Sequence, residues 1–202
     1  MPDFEEFRAA LAGCYAAVGS VSDAEAEALF EHYRLLLRWN RVLNLTRIEA
    51  VADAVERHYC ESLFLADRLP PDAASVLDVG SGAGFPGIPM AIRRPRLRVT
   101  LAESHLRKSV FLREATRKLA NVRVAAGRAE QIPGDFEWVV SRAVRWEDVV
   151  AIPSRSVALL LGADDAVHAA ADTRLRWQPA TPLPWGKRKV LLVGYRVQTS
   201  ST

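Results

Sequence analysis

Ten residues near the middle of the chain carry its densest chemical signal: Asp78-Val79-Gly80-Ser81-Gly82-Ala83-Gly84-Phe85-Pro86-Gly87. Glycines so spaced permit a tight turn and let a ligand approach the main chain without meeting a Cβ. Where such a turn opens a helix, the free N–H groups and the helix dipole favour a carboxylate or a phosphate. Two registers compete. Gly82-Ala83-Gly84-Phe85-Pro86-Gly87 formally matches the G-x-G-x-x-G pattern that holds a dinucleotide pyrophosphate. Asp78-x-Gly80-x-Gly82-x-Gly84 instead sets a carboxylate two residues before the first glycine. That carboxylate would repel a pyrophosphate and suits a ligand with an ammonium and a sulfonium. Glu103 ends the next apolar run and serves either ligand class, since both carry a ribose diol. Two charge-assisted hydrogen bonds to such a diol are each worth about 1.5–3 kcal/mol.

These residues need a strand before the turn and a helix after it. Ser75–Val79 reads as a short buried strand, followed by strands at Arg98–Glu103, Asn121–Val124, Phe136–Ser141 and Ser156–Leu161. Helical segments lie between them, for example Leu106–Leu119. Alternating strands and helices predict a mostly parallel sheet with helices on both faces and right-handed crossovers. Arg174–Trp177 and Lys189–Val197 read as a final antiparallel hairpin. The first seventy residues read as helices. Ser22 and Glu25 form a capping box ahead of an amphipathic run in which Leu29, Phe30, Tyr33, Leu36 and Leu37 share a face. A second helix spans about Ala50–Leu69 and stops at Pro70-Pro71. The expected organisation is an N-terminal helical cap, 1–70, on an α/β Rossmann-like domain, 71–202, within one globule.

The Asp78 register resembles the first motif of class I S-adenosylmethionine-dependent methyltransferases, and Gly127-Arg128-Ala129-Glu130 follows the third strand, where such enzymes grip an adenine. More specifically, the chain resembles the RsmG (GidB) family of small-subunit rRNA guanine-N7 methyltransferases. The resemblance rests on Trp39-Asn40-x-x-x-Asn44-Leu45-Thr46, Arg57-His58-x-x-Glu61-Ser62-Leu63, the loop from Asp78 to Pro89, and Glu103-Ser104 with Arg107-Lys108 and Phe111-Leu112. It closes with Arg128-Ala129-Glu130 and Ser141-Arg142-Ala143. It implies that Gly80, Gly82 and Phe85 line an S-adenosylmethionine site, with Glu103, Ser104 and His105 at the ribose. Ala129 and Glu130 would contact the adenine, and Arg142 would face the cofactor or the target base. Asn44, Arg57 and His58 are candidate substrate contacts. The chain departs from the family in two places: Leu161 precedes Gly162 where a Lys is usual, and Glu61 stands where Asp is usual. The C-terminal third matches loosely.

The chemistry agrees. Guanine N7 has a free lone pair and no proton, so methylation there needs no general base, and positioning can supply about 7–11 kcal/mol. After the fourth strand stands Ser141-Arg142-Ala143, with neither the Asn-Pro-Pro-aromatic run of amino-group methylation nor a cysteine for covalent attack. Arg142 could donate to guanine O6 and leave N7 free. Two rivals stand beside this reading: a nicotinamide-dependent oxidoreductase and a non-catalytic RNA-binding relative of the fold.

Secondary expectations follow. Trp39 is a packing anchor, Asn44 and Thr46 form a turn or helix cap, and Arg107-Lys108 is a solvated helix face. Gly186-Lys187-Arg188-Lys189 is a basic hairpin turn, and His32 and His168 are surface or core residues with no chemical role. Half of the 202 residues are apolar and a quarter charged, a globular profile. The net charge is +3, and 23 of the 27 basic residues are arginine, which permits a nucleic-acid partner without demanding one. Cys14 and Cys60 have no metal-ligand spacing and make no disulfide framework. No apolar run is long enough for a bilayer, and the acidic start is unlike a secretion signal. The expected setting is the cytoplasm, with no membrane or metal, a monomer, and 16S rRNA, the small subunit or its assembly intermediate as partner.

Overall fold

A computed structural model describes residues 3–185 and 188–197. Helix α1 (Phe4–Tyr15) starts at Asp3, whose side chain accepts from the Glu5 N–H. Helix α2 (Asp23–Leu43) carries the expected capping box: Ser22 Oγ accepts from Glu25 N–H, and the Glu25 carboxylate accepts from Ser22 N–H. It stops at Asn44, which adopts φ 47° as a left-handed cap. The expected helix over 50–69 exists but is composite. Helix α3 (Val51–Ala54) runs into a π-helical turn, Val55–Cys60, and then helix α4 (Glu61–Arg68). A π turn inserts a residue and re-aims the side chains that follow, and such turns recur at functional sites; this one holds Arg57 and His58.

Strand β1 (Ser75–Val79), helix α5 (Gly87–Arg93), β2 (Arg98–Glu103), α6 (Leu106–Ala115), β3 (Val122–Ala126), a 3-10 turn at Ala129–Gln131, and β4 (Trp138–Arg142) follow in order. Next come α7 (Trp146–Val150), β5 (Ser156–Gly162), α8 (Ala163–Ala170), β6 (Leu175–Trp177), β7 (Thr181–Pro182) and β8 (Lys189–Arg196). Helix α6 is shorter than its pattern suggested. The Thr116 hydroxyl donates to the Leu112 carbonyl, a side-chain bond that competes with helix continuation.

The sheet order is β3-β2-β1-β4-β5-β8-β6, with β7 pairing β8. The first five strands are parallel, and β8 runs antiparallel between β5 and β6. The expected terminal pair exists, Leu175 facing Arg196, but the returning strand β8 inserts between β5 and β6, and β7 had no legible pattern. The chain leaves β3 and re-enters beside β1 on its other side. Crevices at such a reversal, at the carboxyl ends of the strands, are where open α/β sheets bind ligands.

Alternation along the strands sends Val76, Val99, Leu101 and Val140 to one face and Leu77, Val79, Val139 and Leu159 to the other. The first face merges with the N-terminal helices: Phe7, Leu29, Tyr33, Tyr59 and Phe64 share one apolar cluster with Met90 and Leu101. Polar ties reinforce this joint. Arg93 bridges Asp67 at 2.8 Å and Glu25 at 3.0 Å, and Trp39 Nε1 donates to Glu114 at 2.9 Å while its ring packs against Phe111. Cys60 is buried and Cys14 half-buried, both as free thiols.

Candidate active site

Asp78 sits near the carboxyl end of β1 with no solvent exposure. Its Oδ2 accepts from Gly87 N–H at 3.0 Å, and its Oδ1 is buried with no partner among the described residues. Burial pushes this carboxyl up to about 7, because the charged form lacks water. Close packing explains the glycine opposite: a Cβ on Gly87 would collide with Leu101 and lie 2.7 Å from Asp78 Oδ2. Gly80 is constrained twice, by φ +69° and by Val144 Cγ2, 2.5 Å from where a Cβ would stand. An unpartnered buried acceptor beneath a turn of bare main chain fits a cationic ligand and does not fit a pyrophosphate.

Glu103 closes the other side. One carboxylate oxygen accepts from Gly82 N–H at 2.9 Å and the other from His105 N–H at 2.7 Å. The expected ribose ligand therefore also braces the loop. Each oxygen has two lone pairs, so acceptor capacity remains for a diol. Gly127 N–H donates to the Glu103 carbonyl at 3.0 Å and brings the end of β3 alongside. Ser104 and His105 are exposed, Ala129 is buried in its 3-10 turn, and Glu130 is exposed and paired with Arg128 at 3.3 Å. Hydrogen bonds thus tie Gly82 and His105 to the Glu103 carboxylate, and Gly80 N–H to the carbonyl of the preceding Ala102.

A second group couples the N-terminal helices to the glycine turn. The Phe85 ring, reached through a cis Phe85–Pro86 peptide, stacks on His58 at 4.6 Å and meets His32 and Tyr59 edge-on at 5.2 Å. Arg142 Cζ lies 5.2 Å from the same ring centroid. Arg142 Nη1 donates to the Arg57 carbonyl and to His58 Nδ1, and lies 3.6 Å from Glu61 Oε2. His58 Nε2 then donates to Thr46 Oγ1 at 2.9 Å, a tautomer set by the guanidinium on Nδ1. Burial first, then Arg142, lowers the His58 pKa to about 3. Glu61 is almost fully buried and its pKa is raised by that burial, which Arg142 and Lys189 oppose.

Arg57 contributes a carbonyl and His58 a ring to this network. Asn44 lies outside it, as an exposed helix cap. Its neighbour Asn40 does the joining: it accepts from Thr46 N–H and donates to the Thr46 carbonyl and to Glu49. Thr46 takes the expected turn role, its hydroxyl accepting from Ile48 N–H. His32 is a core residue, one of the two places expected for it, and there it also braces the glycine turn. Its Nε2 donates to the Ala83 carbonyl at 3.0 Å, its Nδ1 accepts from Tyr59 at 2.9 Å, and burial lowers its pKa to about 4. The sequence signal was available, a histidine on the apolar face of α2, but nothing local showed that the glycine turn would lie against it. Gly186 and Lys187 of the expected basic turn lie outside the described residues; Arg188 pairs with Asp164 at 2.7 Å.

Cavities lie near these groups among the described residues. One of about 960 Å³ runs along α2 and α6 and contains none of the glycine-turn residues. Another, about 420 Å³, opens beyond the ends of β4 and β5 and is lined by Val144, which touches Gly80.

The switch-point turn, the acidic residue closing β2 and the antiparallel strand beyond β5 define a Rossmann-like fold of the S-adenosylmethionine-dependent methyltransferase class. Solved structures agree on the fold. The chain is similar to an O-methyltransferase from Bacillus cereus in complex with SAH (TM-score 0.60, 16% identity, 96% of this chain and 100% of that one). It is likewise similar to a SAM-dependent methyltransferase from Aquifex aeolicus (TM-score 0.58, 16% identity, 72% and 93%). The family model GidB, rRNA small subunit methyltransferase G, matches residues 25–158, and the chain belongs to that family. Relatives named ribosomal RNA small subunit methyltransferase G include one from Dichelobacter nodosus, 48% identical over 128 residues, 61% of this chain and 60% of that protein. Another, from Xanthomonas euvesicatoria, is 40% identical over 129 residues, 62% and 60%. The match spans 60% of the length of each.

Proposed function

We propose that this chain transfers a methyl group from S-adenosylmethionine to N7 of a guanine in 16S rRNA, on the small ribosomal subunit or its assembly intermediate. The observation that carries the reading is the buried, unpartnered Asp78 Oδ1 beneath a turn of bare main chain. Bound there, the cofactor supplies an electrophilic methyl on a sulfonium. The protein's part is to hold and orient it. Asp78 Oδ1 receives the amino-acid ammonium beside the main chain of Gly80 and Gly82. Glu103, with Ser104 and His105, takes the ribose, and Ala129 and Glu130 border the adenine. Phe85 shapes the wall from within the aromatic cluster.

Displacement at the methyl needs only an aligned lone pair, which N7 has without deprotonation. The end of β4 supplies no base: the Ser141 hydroxyl donates to the Val79 carbonyl at 3.0 Å, and Arg142 is a cation. With Nη1 committed to the helical cap, Arg142 offers Nη2 and Nε to the base or the cofactor. The cap residues Asn44, Arg57 and His58 border the path by which RNA arrives. Among the described residues no helix is long and apolar enough to cross a membrane, and we propose a monomer acting in the cytoplasm.

Thermal-shift titration tests the cofactor. S-adenosylhomocysteine raises the midpoint by mass action, by about 2.7 kcal/mol of stability at a hundredfold excess over Kd, while NAD(P)H leaves it unchanged. Radiolabelled transfer to small subunits or rRNA from cells lacking this protein, with mass mapping of the product, tests the reaction. A shift with NAD(P)H alone overturns the reading in favour of an oxidoreductase. Cofactor binding with repeated failure of transfer favours a non-catalytic RNA-binding protein.

A further inference from the structure

The 420 Å³ cavity beyond β4 and β5 falls within the roughly 300–1,000 Å³ of small-ligand pockets, and one of its lining residues, Val144, packs against Gly80 of the glycine turn. Val144, Arg145 and Trp146 line it from the segment after β4, Leu161 from β5, Asp165 from the first turn of α8 and Lys189 from the start of β8. Lys189 pairs with Gly162 across the antiparallel ladder, so its charge arrives from a strand remote in sequence. The neighbouring charges are occupied: Asp164 pairs with Arg188 at 2.7 Å and Glu147 with Arg145 at 3.6 Å. Asp165 makes no ion pair among the described residues, and its Oδ2 would lie 3.7 Å from a Cβ on Gly162. The cavity therefore combines a half-buried indole, an uncommitted carboxylate and an ammonium.

Guanine alone among the bases presents two adjacent donors, N1–H and N2–H, that a carboxylate can accept together, with the O6 acceptor beside them. Its N7 lies on the opposite edge from those donors. Enzymes that act on an extruded base read it by its pairing edge and by stacking. We propose that this cavity seats the target base, with Asp165 accepting from N1–H and N2–H, Lys189 donating to O6, and Trp146 giving the ring a stacking face, so that N7 is left toward Gly80. The assignment rests on the guanine-N7 reading above and names the residues that select the base. Adenine, with an acceptor at N1 and no 2-amino group, would set a lone pair against Asp165.

The test compares Asp165→Asn with the unaltered chain on unmethylated small subunits carrying either guanosine or inosine at the target position; inosine lacks only the 2-amino group. The unaltered chain should lose about 10- to 100-fold in kcat/KM from guanosine to inosine, as for one lost charge-assisted hydrogen bond. Asp165→Asn should be slow on both and discriminate little, with S-adenosylhomocysteine affinity by calorimetry unchanged. If the unaltered chain methylates guanosine and Asp165→Asn discriminates as well as it does, the base-reading assignment is overturned and the proposed function stands. If the unaltered chain transfers no methyl to either substrate, the proposed function falls and this assignment with it.

Discussion

Asp78 holds a carboxyl near pH 7 because it is buried with one oxygen unpartnered. A cationic ligand favours its ionised form, so binding should expel a proton. Calorimetry of S-adenosylhomocysteine binding in buffers of different ionisation enthalpy should show release of about half a proton at pH 7, and affinity should rise from pH 6 to 8. Gly80 is as constrained. Gly80→Ala would place a side chain at φ +69°, costing about 1–2 kcal/mol of backbone strain besides the clash with Val144. The expected outcome is a folded protein whose thermal midpoint no longer responds to S-adenosylhomocysteine. His32 makes one contribution to the pH dependence of stability, opposed over the same range by the buried Asp78 carboxyl. Its folded pKa of about 4 lies below the ordinary 6.5. At this residue the unfolded chain therefore takes up a proton below pH 6.5 that the folded chain refuses until about pH 4, so the contribution of His32 to stability falls as pH falls through that window. His32→Gln should remove up to about 1.4 kcal/mol per pH unit of that slope in urea unfolding. The same comparison leaves Asp78 and His58 in place in both proteins.

Among the elements, the π turn matters most. It presents the Arg57 carbonyl and His58 Nδ1 to Arg142, and Glu61 follows within reach at 3.6 Å. Arg142 thereby ties the end of β4 to the cap. Arg142→Ala would leave Glu61 buried without its cation, and removal of one partner of a buried pair costs about 3–5 kcal/mol. Chemical denaturation should show that loss, and Glu61→Gln in the same chain should restore part of it. Turnover that survives Arg142→Ala in this restored background would rule out a direct role for Arg142 at the base. The α2 capping box stands far from these groups in the sequence, and Ser22→Ala should cost about 1 kcal/mol with methyl transfer unchanged.

Taken as a whole, the molecule is a basic protein, pI about 9.1, whose cations are mostly arginine. On the proposed function, binding to rRNA should weaken steeply with salt, linearly in log–log form, as bound phosphates release counterions. Filter binding at several salt concentrations would check this. The sequence by itself determined the parallel sheet, because strand-length apolar runs alternate with helical periods, and it located the turn, because only glycines tolerate that backbone. Ser22, Glu25 and Asn44 took their expected places because capping is local chemistry. What only the tertiary structure decided are contacts between residues far apart in the chain. His32 meets Ala83, Arg142 meets Glu61, and Lys189 of β8 faces Gly162 of β5. No local pattern encodes these, since each depends on which surfaces the sheet and the N-terminal helices bury against one another.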